Sequence, residues 1–264
     1  MLQSRACYQL TDDLVNGLEE RWGRPCWHTK QGVQLNVTND TGLLENLVYQ
    51  LLRLQFSGSP CYVDLIDMFR RNVYHSVLGK TCDARSLRDA HAGIHTFTPQ
   101  KYATHVRLKT TEGVYMPVAV ALLASGVKNP VMHQLAYDTA HDIGLILQSQ
   151  DDYGDCLGAS EQRYSYIRNG RCTWLIVEAM SRANSEQTHI LKENYGSTDQ
   201  RKIDAVVDVY KELGFEEDFL ASNRVAYDRV LAKIQRNGDC IPPNIFYYIL
   251  QSMKLFDSHE MLFR

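Results

Sequence analysis

The spacing of apolar residues restricts this chain most, because it is three-and-four almost from end to end. Leu43, Leu44, Leu47, Val48, Leu51, Leu52 and Leu54 mark one face of a helix, and Val63, Leu65, Ile66, Phe69, Val73 and Val77 repeat the pattern. Prolines stand where helices can begin, at Pro60, Pro99, Pro130 and the pair Pro242-Pro243. The first helical turn has no intrahelical partner for an N–H, so a proline ring costs nothing there. Thr98-Pro99 and Asn129-Pro130 add a capping side chain to that signal. Gly58, Gly79, Gly126, Gly196, Gly214 and Gly238 fall near the ends of segments. The pattern predicts helices near 42–56, 61–78, 98–125, 130–153, 171–183, 186–194, 198–213, 217–236 and 243–254, with loops over 80–97 and 156–170. Only Trp174-Leu175-Ile176-Val177 reads like a strand, and among so many helices it is better placed as a buried helical turn. With no repeat, no low-complexity tract and no separating linker, residues 1–264 predict one all-α domain.

Composition removes several classes of function. There are 28 basic and 31 acidic side chains, a net charge of −3, which excludes a general nucleic-acid binder with its strongly basic face. No apolar run approaches the roughly 18 residues of a spanning helix. Asp12-Asp13 arrives before an apolar leader core forms, so no secretory leader is expected. The seven cysteines are scattered without a C-x-x-C pair, which suggests neither a zinc site nor a disulfide framework. They read as small buried hydrophobes in a reducing compartment, cytosolic or organelle-matrix, of which the cytoplasm is the expected one.

The chemistry concentrates in Gln148-Ser149-Gln150-Asp151-Asp152-Tyr153-Gly154-Asp155. On a helix Asp151 and Asp155 share a face, with Asp152 beside them. Three like charges so close oppose the helix unless something positive lies between. Hard carboxylate oxygens suit Mg²⁺, which takes one or two protein carboxylates and completes its shell with water and phosphate. Taken alone, the triplet fits a solvated acidic helix end equally well. A second run, Asp12-Asp13-Leu14-Val15-Asn16, repeats the spacing and is followed by Glu19-Glu20-Arg21-Trp22-Gly23-Arg24. Two acidic faces, with Lys80, Lys109, Arg21 and Arg24 available, are suited to holding a diphosphate through several Mg²⁺ ions. Metals and cations would stabilise the departing pyrophosphate while an apolar pocket holds the carbocation left behind.

The order of these segments resembles a known family. Asp12-Asp13, Arg21-x-Gly23-x-Pro25-Cys26-Trp27-His28, Asn39-Asp40, Gly79-x-Thr81-x-Asp83 and Lys109-Thr110 are followed by Gln148-x-Gln150-Asp151-Asp152-Tyr153-x-Asp155, Cys172-x-Trp174-Leu175 and Leu191-Lys192-Glu193-Asn194-Tyr195-Gly196. Together they closely resemble the farnesyl diphosphate synthase family, an insect-type member of it, from about Thr11 to Tyr248. The resemblance implies an isoprenoid-synthase-type helical bundle around a central cavity. It implies Mg²⁺-dependent condensation of an allylic diphosphate with isopentenyl diphosphate. It assigns Asp12 and Asp13 to a first aspartate-rich motif and Asp151, Asp152 and Asp155 to a second, together holding Mg²⁺, with Asp83 at the mouth of the metal site. Arg21 and Lys109 would hold diphosphate, and Thr110 and Gln148 would turn oxygens toward the carbocation. Tyr8, with Cys7, would floor the hydrocarbon pocket. The partners implied are prenyl diphosphates and a second subunit, in a homodimer or a heterodimer with a full-length homologue.

The departures carry expectations of their own. Family members open with several helices and a Gly-Lys-x-x-Arg grip for isopentenyl diphosphate, whereas this sequence starts eleven residues before Asp12; either it is part of a longer gene product or part of that binding site is expected to be lost. Asn16 replaces the third acid of the first motif, Trp22 the second arginine of a pair, and Lys80 a usual glutamine. That leaves Arg24 and His28 for the second diphosphate and predicts weak binding of isopentenyl diphosphate. The usual Thr-Gly-Lys and Thr-Asp after the second motif are replaced by a shortened, lysine-free 157–170, in which Arg163 and Arg168 are the nearest substitutes. The segment Lys109-Thr110-Thr111-Glu112-Gly113 is one residue short, which rotates the rest of its helix by about 100° unless a bulge absorbs it. Two other readings arise from these losses: a terpene-synthase-type lyase without a second substrate, and an impaired paralogue serving as a dimer partner.

Overall fold

Local capping chemistry starts the helices where the sequence places it. The computed structural model describes residues 2–21, 23–158 and 163–252. Its helices are α1 (Leu2–Val15), α2 (Val37–Phe56), α3 (Tyr62–Gly93), α4 (Pro99–Val106), α5 (Glu112–Ala124), α6 (Pro130–Cys156), α7 (Ser165–Arg168), α8 (Trp174–Arg182), α9 (Ser185–Asn194), α10 (Gln200–Glu212), α11 (Phe215–Arg236) and α12 (Pro243–Ser252). The only strands among the described residues are β1 (Glu20–Arg21) and β2 (Arg24–Pro25), paired antiparallel. The all-α expectation is borne out. Thr98 accepts from the Lys101 N–H at 3.1 Å ahead of Pro99, and Asn129 accepts from the Val131 N–H at 2.9 Å ahead of Pro130. These side chains satisfy amides that the first turn leaves unpaired. Trp174–Val177 forms the first turn of α8 with Leu175, Ile176 and Val177 buried, as expected.

Two elements differ from expectation. Residues 80–93 are the second half of α3 and not a loop. No proline interrupts Lys80–Ala92, and the chain leaves the helix only at Gly93, whose φ of 140° is open to glycine. The first acidic run was expected on a helix, and α1 carries Asp12 and Asp13, although no bounds were predicted for it. Within 156–170, Ser165–Arg168 is a short helix, while residues 159–162 lie outside the described residues. Cys240 is exposed, contrary to the reading of every cysteine as buried.

The chain divides into two compact units, Met1–Ser76 with Ala119–Lys128, and Val77–Val118 with Asn129–Arg264. In the first, α1 lies against α2, and Cys7, Val37, Val48, Leu52, Leu65 and Phe69 are buried. In the second, Phe97, Tyr102, Ile167, Leu175, Ile176, Leu191, Tyr210 and Phe215 belong to one core cluster. Tyr153 stacks on Phe219 at 4.0 Å, and Trp174 meets Phe219 at a steep angle, 5.8 Å away. Each fully buried side chain of this size contributes about 1.5–3 kcal/mol. That burial anchors α6 and α8 beneath the polar groups they carry.

Candidate active site

Two glycines bring the polar groups of the second unit together. A Cβ on Gly144 of α6 would stand 3.0 Å from Thr111 Oγ1 and 3.1 Å from its backbone nitrogen, and one on Gly79 of α3 would stand 2.5 Å from Lys109 Cγ. A Cβ at either position would force its neighbours to shift. Between α4 and α5, Arg107–Thr111 forms a π-helical segment that carries Lys109 and Thr110. A bulge is therefore present, but a π turn takes up an extra residue, the opposite sense to a missing one.

Lys109 Nζ forms an ion pair with Asp83, and Arg171 Nη1 lies 3.7 Å from the same carboxylate oxygen. Burial alone would raise the Asp83 carboxyl, but the charges of Lys109 and Arg171 outweigh it and hold it below the usual range. Thr110 Oγ1 donates to Gln148 Oε1 at 2.6 Å, and Gln148 Nε2 donates to Asp152 Oδ1 at 3.0 Å. Asp152 Oδ2 accepts the Trp174 N–H at 2.7 Å. This carboxyl is 2% exposed, and burial pushes it up to about 7 despite its two donors. Asp155 accepts from Ser165 Oγ at 2.5 Å and from the Tyr166 N–H at 3.0 Å, and burial raises it too. Asp151 is exposed, with Oδ2 accepting the Tyr166 hydroxyl at 2.5 Å. The repulsion within the acidic row is thus relieved by neutral donors and by the raised Asp152, not by cations lying between. Asp83, Lys109, Gln148, Asp152, Tyr166 and Arg171 line one cleft with about 290 Å³ of empty space, partly open to solvent.

The first unit holds the other acidic run. Asp12 and Asp13 lie in the last turn of α1, where the helix dipole disfavours acids. Arg21 answers that charge: its Nη2 is 2.5 Å from Asp13 Oδ1 and 3.3 Å from Asp12 Oδ2. Asp13 is buried and Asp12 half-buried. Arg24 is exposed and stands opposite Arg21 in the hairpin, and Trp22 lies outside the described residues. Tyr8 donates to Asn72 Oδ1 at 2.7 Å, and its ring joins Cys7, Tyr49, Phe69 and Val73 around a small apolar pocket.

Sequence reasoning missed Arg171 and Tyr166. Arg163 and Arg168, its substitutes for the absent lysine, donate to the carbonyls of Cys156 (3.4 Å) and Arg163 (2.8 Å), and neither lines the cleft. Arg171 lines the cleft beside Asp83, and its position immediately before the Cys172-x-Trp174 match was the available signal. Among the described residues no group of three or more His, Cys, Asp or Glu side chains is gathered to hold a metal ion.

A family model described as polyprenyl synthetase matches residues 5–213. The farnesyl pyrophosphate synthase of Bos taurus is 30% identical over 253 residues, covering 94% of this chain and 72% of the bovine protein. That of Homo sapiens is 32% identical over 246 residues, 92% of this chain and 59% of the human one. Farnesyl pyrophosphate synthase 2 of Arabidopsis thaliana is 32% identical over 235 residues, 88% and 68% of the two chains. The chain belongs to the polyprenyl synthetase family. For this polyprenyl synthetase the expected prenyltransferase class is borne out, and the lyase and dimer-partner readings are not favoured. No helix among its described residues is long and apolar enough to cross a membrane.

Proposed function

We propose that this protein is an Mg²⁺-dependent short-chain prenyltransferase joining an allylic diphosphate to isopentenyl diphosphate. The observation that carries the reading is the cleft in which Lys109 and Arg171 share the Asp83 carboxylate beside the acidic row of α6. An incoming diphosphate competes for both cations, while Asp83 holds them in place until it arrives. The acids expected to serve Mg²⁺ are Asp12, Asp13, Asp83, Asp151, Asp152 and Asp155. The donor set fits the ion in kind: hard oxygens, few per ion, with water and phosphate filling the rest. Asp151 is exposed, and its Oδ1 has no partner among the described residues. Asp12 is half-buried and pairs with Arg21 through Oδ2 alone, so in its own unit it offers its other oxygen. Asp13 in the first unit, and Asp83, Asp152 and Asp155 in the second, are held by protein donors. Bound Mg²⁺ supplies charge that stabilises the departing diphosphate.

The remaining work falls to the chain's own side chains. Thr110 and Gln148 fix one another, so their oxygens are oriented before the allylic cation forms, and preorganised dipoles of this kind need no rearrangement during ionisation. Arg21 and Arg24 serve diphosphate in the first unit, and the pocket under Tyr8 takes the hydrocarbon. In this reading the two units serve one synthase domain, working in the cytoplasm as a homodimer or with a full-length homologue. Asp151→Asn and Lys109→Gln each test it. Turnover of an allylic diphosphate with isopentenyl diphosphate and Mg²⁺ should fall by about 100-fold or more. The melting temperature should stay close to that of the parent in Asp151→Asn and fall in Lys109→Gln, which leaves the buried Asp83 to Arg171 alone. Full Mg²⁺-dependent turnover in both variants would contradict the reading.

A further inference from the structure

We infer that Tyr166 is a positioning residue of this site, one side chain that fixes both an acid, Asp151, and a cation, Arg171; the inference rests on the reading of the cleft as the diphosphate and Mg²⁺ site. Tyr166 lies in the lysine-free segment where this sequence departs from the family pattern. Its hydroxyl donates to Asp151 Oδ2 at 2.5 Å, and its ring lies under the Arg171 guanidinium, 4.5 Å from the centroid. Its backbone N–H donates to Asp155 Oδ2 at 3.0 Å. The residue is thus tied to two acids of α6 and to the cation of the cleft at once.

The backbone around it is held for that purpose. Tyr164, at the start of α7, has a φ of 70°, a left-handed conformation that a bulky residue rarely adopts. Its N–H donates to the Asp155 carbonyl at 2.8 Å, which pins the turn to the end of α6. Such strain persists where surrounding contacts over-determine it. Here they place the Tyr166 phenol against Asp151. A phenol donor on one carboxylate oxygen sets the plane of the group and leaves the other oxygen to a metal. Outer partners of this kind typically change metal affinity by about 10–100-fold when removed. The ring acts on Arg171 separately, through the attraction of a cation to an aromatic face.

Two variants separate the two attachments. Tyr166→Phe keeps the ring and loses the hydroxyl; Tyr166→Leu loses both. Mn²⁺ binding is followed by electron paramagnetic resonance, and inorganic pyrophosphate binding by calorimetry at saturating Mn²⁺. Tyr166→Phe should weaken Mn²⁺ binding about tenfold or more and leave pyrophosphate affinity unchanged. Tyr166→Leu should weaken Mn²⁺ equally and pyrophosphate by about threefold to tenfold. In turnover, Tyr166→Phe should raise the half-saturating Mg²⁺ concentration while kcat at saturating Mg²⁺ stays near the parent value. Unchanged Mn²⁺ affinity in Tyr166→Phe, or tighter binding because the hydroxyl had been blocking the acid, would overturn the inference alone. A parent protein that binds neither Mn²⁺ nor pyrophosphate would overturn the reading of the cleft, and the inference with it.

Discussion

At the scale of single residues, Asp152 shows how the acidic row coexists with a folded helix. Its carboxyl is buried and keeps its proton up to about 7, whereas in the unfolded chain it releases it near the ordinary value of 3.8. Between those values the native state binds more protons than the unfolded state, so the stability contributed by this group falls as pH rises through the window. Asp155 is raised in the same sense, and Asp83, held low by Lys109 and Arg171, acts in the opposite sense and loses its contribution only on acidification. Asp152→Asn removes the buried charge at the cost of one acceptor for Gln148, about 1 kcal/mol. The metal-free variant should be slightly less stable than the parent at pH 5 and gain on it steadily as pH rises, equalling or exceeding it at pH 8. Chemical denaturation at several pH values checks this. A variant that keeps the parent's pH slope would show that Asp152 is ionised throughout.

At the scale of elements, close approach matters more than helix propensity. Gly79 sits inside α3 and Gly144 inside α6, where glycine is a poor helix former. Both are explained by the π-helical Arg107–Thr111 segment against which they pack. Gly144→Ala meets backbone and should cost about 1–3 kcal/mol, seen as a lower melting temperature together with reduced turnover. Gly79→Ala meets the flexible stem of Lys109 at 2.5 Å and Leu108 only at 3.3 Å, and should lower turnover with less effect on melting than Gly144→Ala. A similar melting temperature for both variants would contradict this distinction. The same helices show where the sequence was readable. Cap-plus-proline starts at Thr98-Pro99 and Asn129-Pro130 were legible because their signal is local. The second half of α3 was misread because Gly79 looks like a stop, and its real reason, Lys109 from a distant segment, is invisible to local pattern.

At the scale of the whole molecule, the ordered acidic and basic segments made the class of chemistry legible, while their partners were not. Asp83, Lys109, Thr110, Gln148, Asp151, Asp152 and Asp155 were all named from sequence, and the second unit gathers them around one cleft or its rim. Tyr166 and Arg171 escaped because their part depends on how residues 164–166 are tied to the end of α6, which spacing does not encode. Arg21 was expected to serve a diphosphate and here holds Asp12 and Asp13, a counter-ion that only the folded hairpin reveals. The account rests on the claim that these groups ionise an allylic diphosphate and pass the cation to a second substrate. The most direct measurement is product analysis after incubation with an allylic diphosphate and Mg²⁺, with and without isopentenyl diphosphate. The account predicts a chain-elongated prenyl diphosphate and released pyrophosphate only when both substrates are present. Hydrocarbon or prenyl alcohol formed equally well without isopentenyl diphosphate, or no turnover of either substrate by the intact protein, would contradict it.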